Sequence, residues 1–87
     1  MLTQNGAMPL FYLHHSHEPD ECETAFAAWK GFESPLRHRS AASTCLTGGH
    51  RLFWKVEASD RSAAGAMLPA FVAARTEVIE AREVRIP

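Results

Sequence analysis

Two short apolar runs, at residues 9–16 and 51–57, constrain the fold of this chain more than any other feature. The first is rich in Phe, Tyr and Leu, is too short for a typical helix and stops before Pro19, so it predicts a β-strand. Neighbouring side chains of a strand point to opposite faces of the sheet. Both runs are bulky at consecutive positions, as at Phe11, Tyr12 and Leu13. Both faces of the sheet must therefore be covered, because each large exposed side chain would forgo about 1.5 to 3 kcal/mol.

A helical pattern follows the first predicted strand. Pro19 suits the first turn of a helix, and Gly31 with the Ser34-Pro35 pair ends it. The inner face of this helix is predicted from the spacing of its larger side chains, at Cys22, Ala25, Phe26, Trp29 and Phe32.

A hairpin, a second helix and a last strand complete the pattern. Residues 41–58 indicate two short strands joined by a tight turn at Gly48-Gly49, a pair that adopts positive φ easily. Ser59 or Asp60 caps the second helix, which Pro69 must break or kink. The side chains of residues 76–87 should point alternately to the two faces of a strand, and polar residues fall on both faces, which predicts an edge strand. The inner side of the second helix is predicted at Ala63, Ala66, Met67 and Ala70.

This order of elements predicts an α+β fold of the βαββαβ type. With short loops and right-handed crossovers it gives the ferredoxin-like plan, a four-stranded antiparallel sheet with the first and third strands central and two helices on one face. Because the helices cover only one face, we expect a second copy to cover the other in a sheet-to-sheet homodimer. Residues 1–7 are polar and patternless, which predicts a disordered tail before a single domain at residues 8–87.

The element order of residues 8–87 resembles that of the dimeric α/β-barrel superfamily. The segments RLFWKVEASDRSAAGAMLP and EAREVRIP look like the third strand, second helix and final strand of small uncharacterised members, including nickel-binding ones. The resemblance implies small ferredoxin-like chains whose sheets pack face to face as a pair. The superfamily includes cofactor-independent oxygenases, isomerases, cyclases and metal-binding proteins, so the resemblance narrows the fold more than the chemistry.

The composition argues against several partners and locations. The 87 residues carry 9 basic and 10 acidic side chains, a formal net charge of −1, which gives no field to attract nucleic acid or an anionic membrane. The apolar runs fall short of the roughly 20 residues of a membrane span, and no signal peptide is visible. Cys22 and Cys45 lack CxxC spacing, which indicates free thiols in a reducing compartment. We therefore expect a cytoplasmic protein.

Three histidines lie within four positions at the end of the first strand. His15 and His17 share one face, about 6.6 Å apart along the strand, and could chelate a divalent transition metal such as nickel or zinc. The alternative interpretation is a solvated strand end beside acidic residues. A metal would need a further ligand, for which the candidates are Glu18, Asp20, Glu21, Cys22 and His50.

The opposite face of the first strand carries a second candidate site. His14 and Tyr12 lie on that face and would line a cleft between the paired sheets, with Trp54 as an apolar wall. A neutral imidazole in a partly dry pocket can move protons near pH 7, so His14 and Tyr12 are the candidate catalytic residues and Trp54 the candidate ligand-binding residue. The alternative is that His14 is a hydrogen-bonded interface residue.

Three functions remain open from the sequence. The first is a small homodimeric protein that binds a small ligand in the cleft above the sheet, with or without catalysis. The second is a metal-binding protein that uses the histidines of the first strand. The third is an assembly or accessory module without chemistry, in which side chains fill the cleft.

Overall fold

Four strands form one antiparallel sheet in the computed structural model, which describes residues 8–87. The strands are β1 (Leu10–Ser16), β2 (Ala42–Ser43), β3 (Arg51–Glu57) and β4 (Thr76–Ala81), in the spatial order β2-β3-β1-β4. The predictions of an α+β class, of β1 and β3 as central strands and of β4 as an edge strand are confirmed. This arrangement is compatible with a ferredoxin-like fold. The tail predicted at residues 1–7 lies outside the described residues.

The helix side of the sheet carries the hydrophobic core. The strand register places Phe11 beside Val56 and Leu13 beside Trp54, so that alternate residues of the two central strands share this face. The core residues are all less than about a tenth exposed, and the burial of each contributes most of its transfer free energy. They are Phe11, Leu13, Leu36, Leu52, Trp54, Val56, Ala58, Ala64, Leu68 and Val72.

The first helical region is shorter than predicted. A single 3₁₀ turn at Pro19–Glu21 leads into α1 (Cys22–Ala27), after which turns run to Gly31, where φ is +74°. Ala25 is buried and Trp29 packs against the core, as predicted, but the side chain of Phe26 is 53% exposed. The prediction of Phe26 as an inner residue is therefore wrong, because a helix of six residues turns only a narrow stripe towards the sheet.

The second helical region is broken at Pro69, as predicted. Asp60 caps α2 (Arg61–Gly65) by accepting a 2.7 Å hydrogen bond from the backbone N–H of Ala63, and α3 (Ala70–Ala73) follows Pro69. Its predicted inner face is wrong in part, since Ala66 and Ala70 are exposed. The buried positions repeat every four residues instead, at Ala64, Leu68 and Val72. This face buries Leu and Val in place of two alanines, so it removes more apolar area from water.

The connection between β2 and β3 is longer than the predicted two-residue turn. Residues 44–50 include a 3₁₀ turn at Cys45–Thr47, and β2 has only two residues. Gly48 has φ of +86°, and a Cβ at Gly49 would collide with the side chain of Thr44. The antiparallel hairpin itself is confirmed, with Ala42 opposite Phe53.

The other face of the sheet has no helix over it in the part of the chain that the structure describes. Tyr12, Phe53 and Ile79 lie there with 40%, 37% and 40% of their surfaces exposed. Within residues 8–87 no helix has both the length and the apolar character needed to cross a membrane.

Candidate metal centre

Three potential metal ligands meet where β1 ends and β3 begins. Antiparallel pairing places Ser16 opposite Arg51, so the residues just beyond them, His17 and His50, are neighbours. The backbone N–H of His17 donates a 3.1 Å hydrogen bond to the carbonyl of His50, which extends the pairing by one step. The 3₁₀ turn after β1 then returns the chain so that Cys22, the first residue of α1, lies at the same point.

The side chains of this group lie within reach of a single ion. Cys22 Sγ is 3.3 Å from His17 Nε2 and 3.0 Å from His50 Nδ1, and the three ligand atoms all lie within 4.8 Å of one another. His17 is only 6% exposed, whereas Cys22 and His50 are half-buried. Both cysteines are free thiols, as predicted, so Cys22 is available as a ligand. A His17, Cys22 and His50 cluster could therefore hold a metal ion.

The distances agree with a small coordination sphere. Zinc bonds of about 2.0 to 2.1 Å to nitrogen and 2.3 Å to sulfur in a tetrahedron separate the ligand atoms by about 3.6 Å. The observed separations of 3.0 and 3.3 Å are shorter by a few tenths of an ångström. A modest outward movement of the side chains would make room for the ion.

A chain of hydrogen bonds from the protein interior sets the tautomer of His17. His15 Nδ1 lies 3.2 Å from the carbonyl oxygen of Val72, which can only accept, so this nitrogen carries the proton. His15 Nε2 is then an acceptor, and it lies 2.9 Å from His17 Nδ1, which must donate. The tautomers assigned from this network leave the lone pair of His17 Nε2 directed at Cys22. That is the form of histidine that binds metals.

His15 is held in the neutral state by its surroundings. Its ring is 1% exposed, and the hydroxyl of Thr76 lies 3.2 Å from Nδ1 beside the Val72 carbonyl. Burial holds the pKa of His15 below its ordinary value of 6.5, and the positive charge of Arg75 acts in the same direction, against the backbone hydrogen bonds. A neutral His15 can accept the hydrogen bond from His17 at pH 7.

An ion pair fixes the turn that carries Cys22. The guanidinium of Arg75 binds the carboxylate of Glu21 through Nε at 3.2 Å and Nη2 at 3.0 Å, and Arg75 also stacks over the ring of Phe71 at 3.6 Å. The backbone N–H of Glu18 donates to the same carboxylate at 3.0 Å. The hydrogen bonds from the Glu18 backbone and from Arg75 hold the pKa of Glu21 below its usual 4.5, so its charge persists to lower pH than that of an ordinary glutamate.

His50 adopts a backbone conformation that few residues other than glycine favour. Its φ is +54°, in the left-handed region, where Asn, Asp and His are enriched among non-glycine residues. Such conformations cost about 1 to 3 kcal/mol and cluster at functional sites. The strained loop before β3 thus presents His50 Nδ1 to Cys22.

The structure gives a mixed outcome for the predicted metal ligands. His15 and His17 do share one face, and both are buried, so the alternative of a solvated strand end is wrong. His17 is in the three-ligand group, while His15 hydrogen-bonds to it from the interior side. Cys22 and His50 were two of the five candidates for a further ligand, and both join the group. Sequence patterns gave no signal for Arg75 or Thr76, whose roles depend on tertiary contacts.

The residues predicted for a cleft between sheets are only partly together. His14 and Tyr12 lie on the open face, whereas Trp54 lies on the helix side and is 9% exposed. Phe53 stacks on His14 instead, with ring centroids 4.9 Å apart. Trp54 cannot form a wall of that cleft, because the register places it opposite Leu13 and alternation turns it to the core.

No family model, curated protein or solved structure matches this chain. The element order and sheet arrangement are compatible with a ferredoxin-like fold, and no family or homologue supports the resemblance to the dimeric α/β-barrel superfamily.

Proposed function

We propose that this chain is a transition-metal-binding protein that holds a zinc ion through His17, Cys22 and His50. The observation that supports the proposal is the convergence of one thiol and two imidazoles from three separate segments, with their ligand atoms within 4.8 Å. Two imidazoles and a thiolate are a donor set that suits zinc in a tetrahedral site, whereas nickel favours square-planar geometry.

The support around the ligands also favours a metal role. Histidines that bind metals usually donate their second ring N–H to an acceptor that fixes the ring, and His17 does so to His15. Three protein ligands leave one tetrahedral position open, as in zinc sites that bind water or a substrate. The chemistry of such a site would include polarising a bound water or carbonyl group.

The test is a metal titration of chelator-treated protein. Native mass spectrometry after zinc addition should find one zinc per chain, and cobalt substitution should produce thiolate-to-metal absorption in the near ultraviolet. Cys22→Ser should weaken zinc binding at least about tenfold, because a hydroxyl is a poorer zinc ligand than a thiolate. Cys45→Ser is the matched control, since Cys45 is also half-buried but lies outside the cluster.

A second matched pair tests the imidazole of His50. His50 and His38 both have positive φ, at +54° and +65°, and asparagine tolerates that conformation. His50→Asn should lose zinc affinity while His38→Asn keeps it. Equal zinc binding in the wild type, Cys22→Ser and His50→Asn would reject the proposed site.

We also propose that the chain forms a sheet-to-sheet homodimer in which His14 and Tyr12 face the space between the sheets. The supporting observation is the open face, where Tyr12, Phe53 and Ile79 expose more than a third of their surfaces. These side chains lie there between charged neighbours such as Lys55 and Glu77. Phe53→Lys should convert the dimer to a monomer in analytical ultracentrifugation. Leu46→Lys, at a fully exposed position away from the sheet, should not change the mass. A monomeric wild type would remove this second proposal.

A further inference from the structure

A groove separate from the three metal ligands opens between α1, the loop at residues 33–41 and the β2-β3 side of the sheet. Its volume is about 440 Å³, which is within the usual range of small-molecule sites. The floor is apolar and aromatic, formed by Trp29, Trp54, Leu36 and Leu52, and Phe26 stands at one side. The two indole rings are 5.8 Å apart between centroids. We call this cavity the tryptophan groove.

The rim of the tryptophan groove is basic. Lys30, Arg37 and Arg39 line it together with His38, and none of its lining residues is acidic. Among residues 8–87, no carboxylate lies within ion-pair distance of Lys30, Arg37 or Arg39. Three unpaired cations beside an apolar floor are complementary to an anion with a flat apolar body.

The loop that carries Arg37 and Arg39 is anchored by the residues just before them. Ser34 Oγ donates a 2.6 Å hydrogen bond to the carbonyl of Met67 and accepts one from the backbone N–H of Leu36. The side chain of Leu36 is buried against the core, and Arg37 Nη1 donates to the carbonyl of Phe32 at 3.4 Å. The groove is therefore formed before any ligand arrives, which reduces the entropy lost on binding.

We propose that the tryptophan groove binds a small aromatic carboxylate, with the ring system against Trp29 and Trp54 and the carboxylate at Arg37 and Arg39. The exposed side of Phe26, which the helix pattern alone does not explain, then forms part of the binding surface. This inference does not depend on the metal site, because none of the three metal ligands lines the groove.

The chain supplies its own probes for the test. It contains two tryptophans, and both line the groove, so both indole N–H signals in a ¹H–¹⁵N spectrum report on its occupant. We would titrate metal-free protein with 2-naphthoate and, in parallel, with the neutral isostere 2-naphthamide. Both indole signals should move with naphthoate, and naphthamide should bind on the order of tenfold more weakly, because it lacks the charge-assisted contacts.

Variants of the rim locate the carboxylate. Arg37→Gln combined with Arg39→Gln should bring naphthoate down to the affinity of naphthamide, whereas Arg85→Gln, an exposed position outside the groove, should bind like the wild type. If the double variant does not fold, the difference in affinity between naphthoate and naphthamide for the wild type is sufficient to test the proposal. Equal affinity for naphthoate and naphthamide would overturn the proposal, and so would unmoved indole signals. Indole signals that move with protein concentration in the absence of probe would assign the groove to a second copy and also overturn it.

Discussion

His15 and His17 are hydrogen-bonded ring to ring, with His15 Nε2 2.9 Å from His17 Nδ1. Two histidines separated by one residue on a strand look like a chelating pair, since both point to the same face. Here the two rings are tilted by 43°. Each ring uses one of its nitrogens for the hydrogen bond to the other ring. One ring therefore positions the other, and the proposed ligand is the outer nitrogen of His17.

The positioning role of His15 gives a first prediction. In His15→Leu, the buried N–H of His17 Nδ1 loses its acceptor, and the preferred tautomer of His17 is no longer fixed. We expect zinc affinity to fall by about 10- to 100-fold, as for other residues that orient metal ligands. Competition with a chromophoric chelator would measure the change in zinc affinity. The stoichiometry should stay at one zinc per chain.

The neighbouring histidine is the control for this substitution. His14 is also a histidine and directly precedes His15, but it points to the open face, where it stacks on Phe53. His14→Leu should leave zinc affinity unchanged. A similar loss in both variants would indicate general destabilisation of β1 rather than a specific role for His15.

Sequence periodicity could place these histidines on faces but could not assemble the site. The alternation of β1 correctly separates His14 and Tyr12 from His15 and His17, because it depends on strand geometry alone. The contact between Cys22 and His50 depends on the path of the 3₁₀ turn after β1 and on the left-handed backbone conformation of His50 just before β3. Neither has a periodic signal, so sequence analysis could offer Cys22 and His50 only among five candidates.

The same limit applies to the apolar faces. Large side chains at consecutive positions of β3 correctly indicate that both faces are bulky, yet they do not say which residue faces the helices. The register of β3 against β1 decides this, and it turns Trp54 to the core and Phe53 outwards. A shift of one residue would have exchanged them.

The lowered pKa of His15 predicts a pH dependence of stability in the metal-free protein. Between the lowered pKa in the folded state and the ordinary value of 6.5, the unfolded chain binds more protons at His15 than the native chain does. The free energy of unfolding must then fall as pH falls below about 6.5, with a slope of at most about 1.4 kcal/mol per pH unit from this residue. Above pH 6.5 the contribution is fully present.

Urea unfolding in the presence of a chelator would measure this dependence from pH 8 down to pH 5. The wild type should lose stability below pH 6.5, and His15→Leu should lose less over the same interval. Parallel curves for the two proteins would show that the titration of His15 does not control the loss.

The glycine before His50 gives a prediction about the loop. A Cβ at Gly49 would collide with the side chain of Thr44, so Gly49→Ala must displace the loop that presents His50. We expect a loss of about 1 to 3 kcal/mol in the free energy of unfolding, as for other overpacked positions, together with weaker zinc binding. Gly31→Ala is the control for backbone strain without a collision, because Gly31 has φ of +74° and open space around it, whereas Gly49 is not among the glycines with positive φ. It should reduce stability without a specific effect on zinc.

The ion pair between Glu21 and Arg75 should stabilise the protein more than an exposed pair does. Its side chains are 26% and 33% exposed and meet through two guanidinium nitrogens, whereas Lys55 and Glu83 are 52% and 72% exposed and meet through one contact. Double-mutant cycles with Gln at each position should give a larger coupling for the first pair than for the second, because solvent screens the second pair more strongly. Because Glu21 directly precedes Cys22, breaking the first pair should also weaken zinc binding, while breaking the second should not. Zinc affinity that is unaffected by Arg75→Gln would mean that the turn holds Cys22 in place without this clamp.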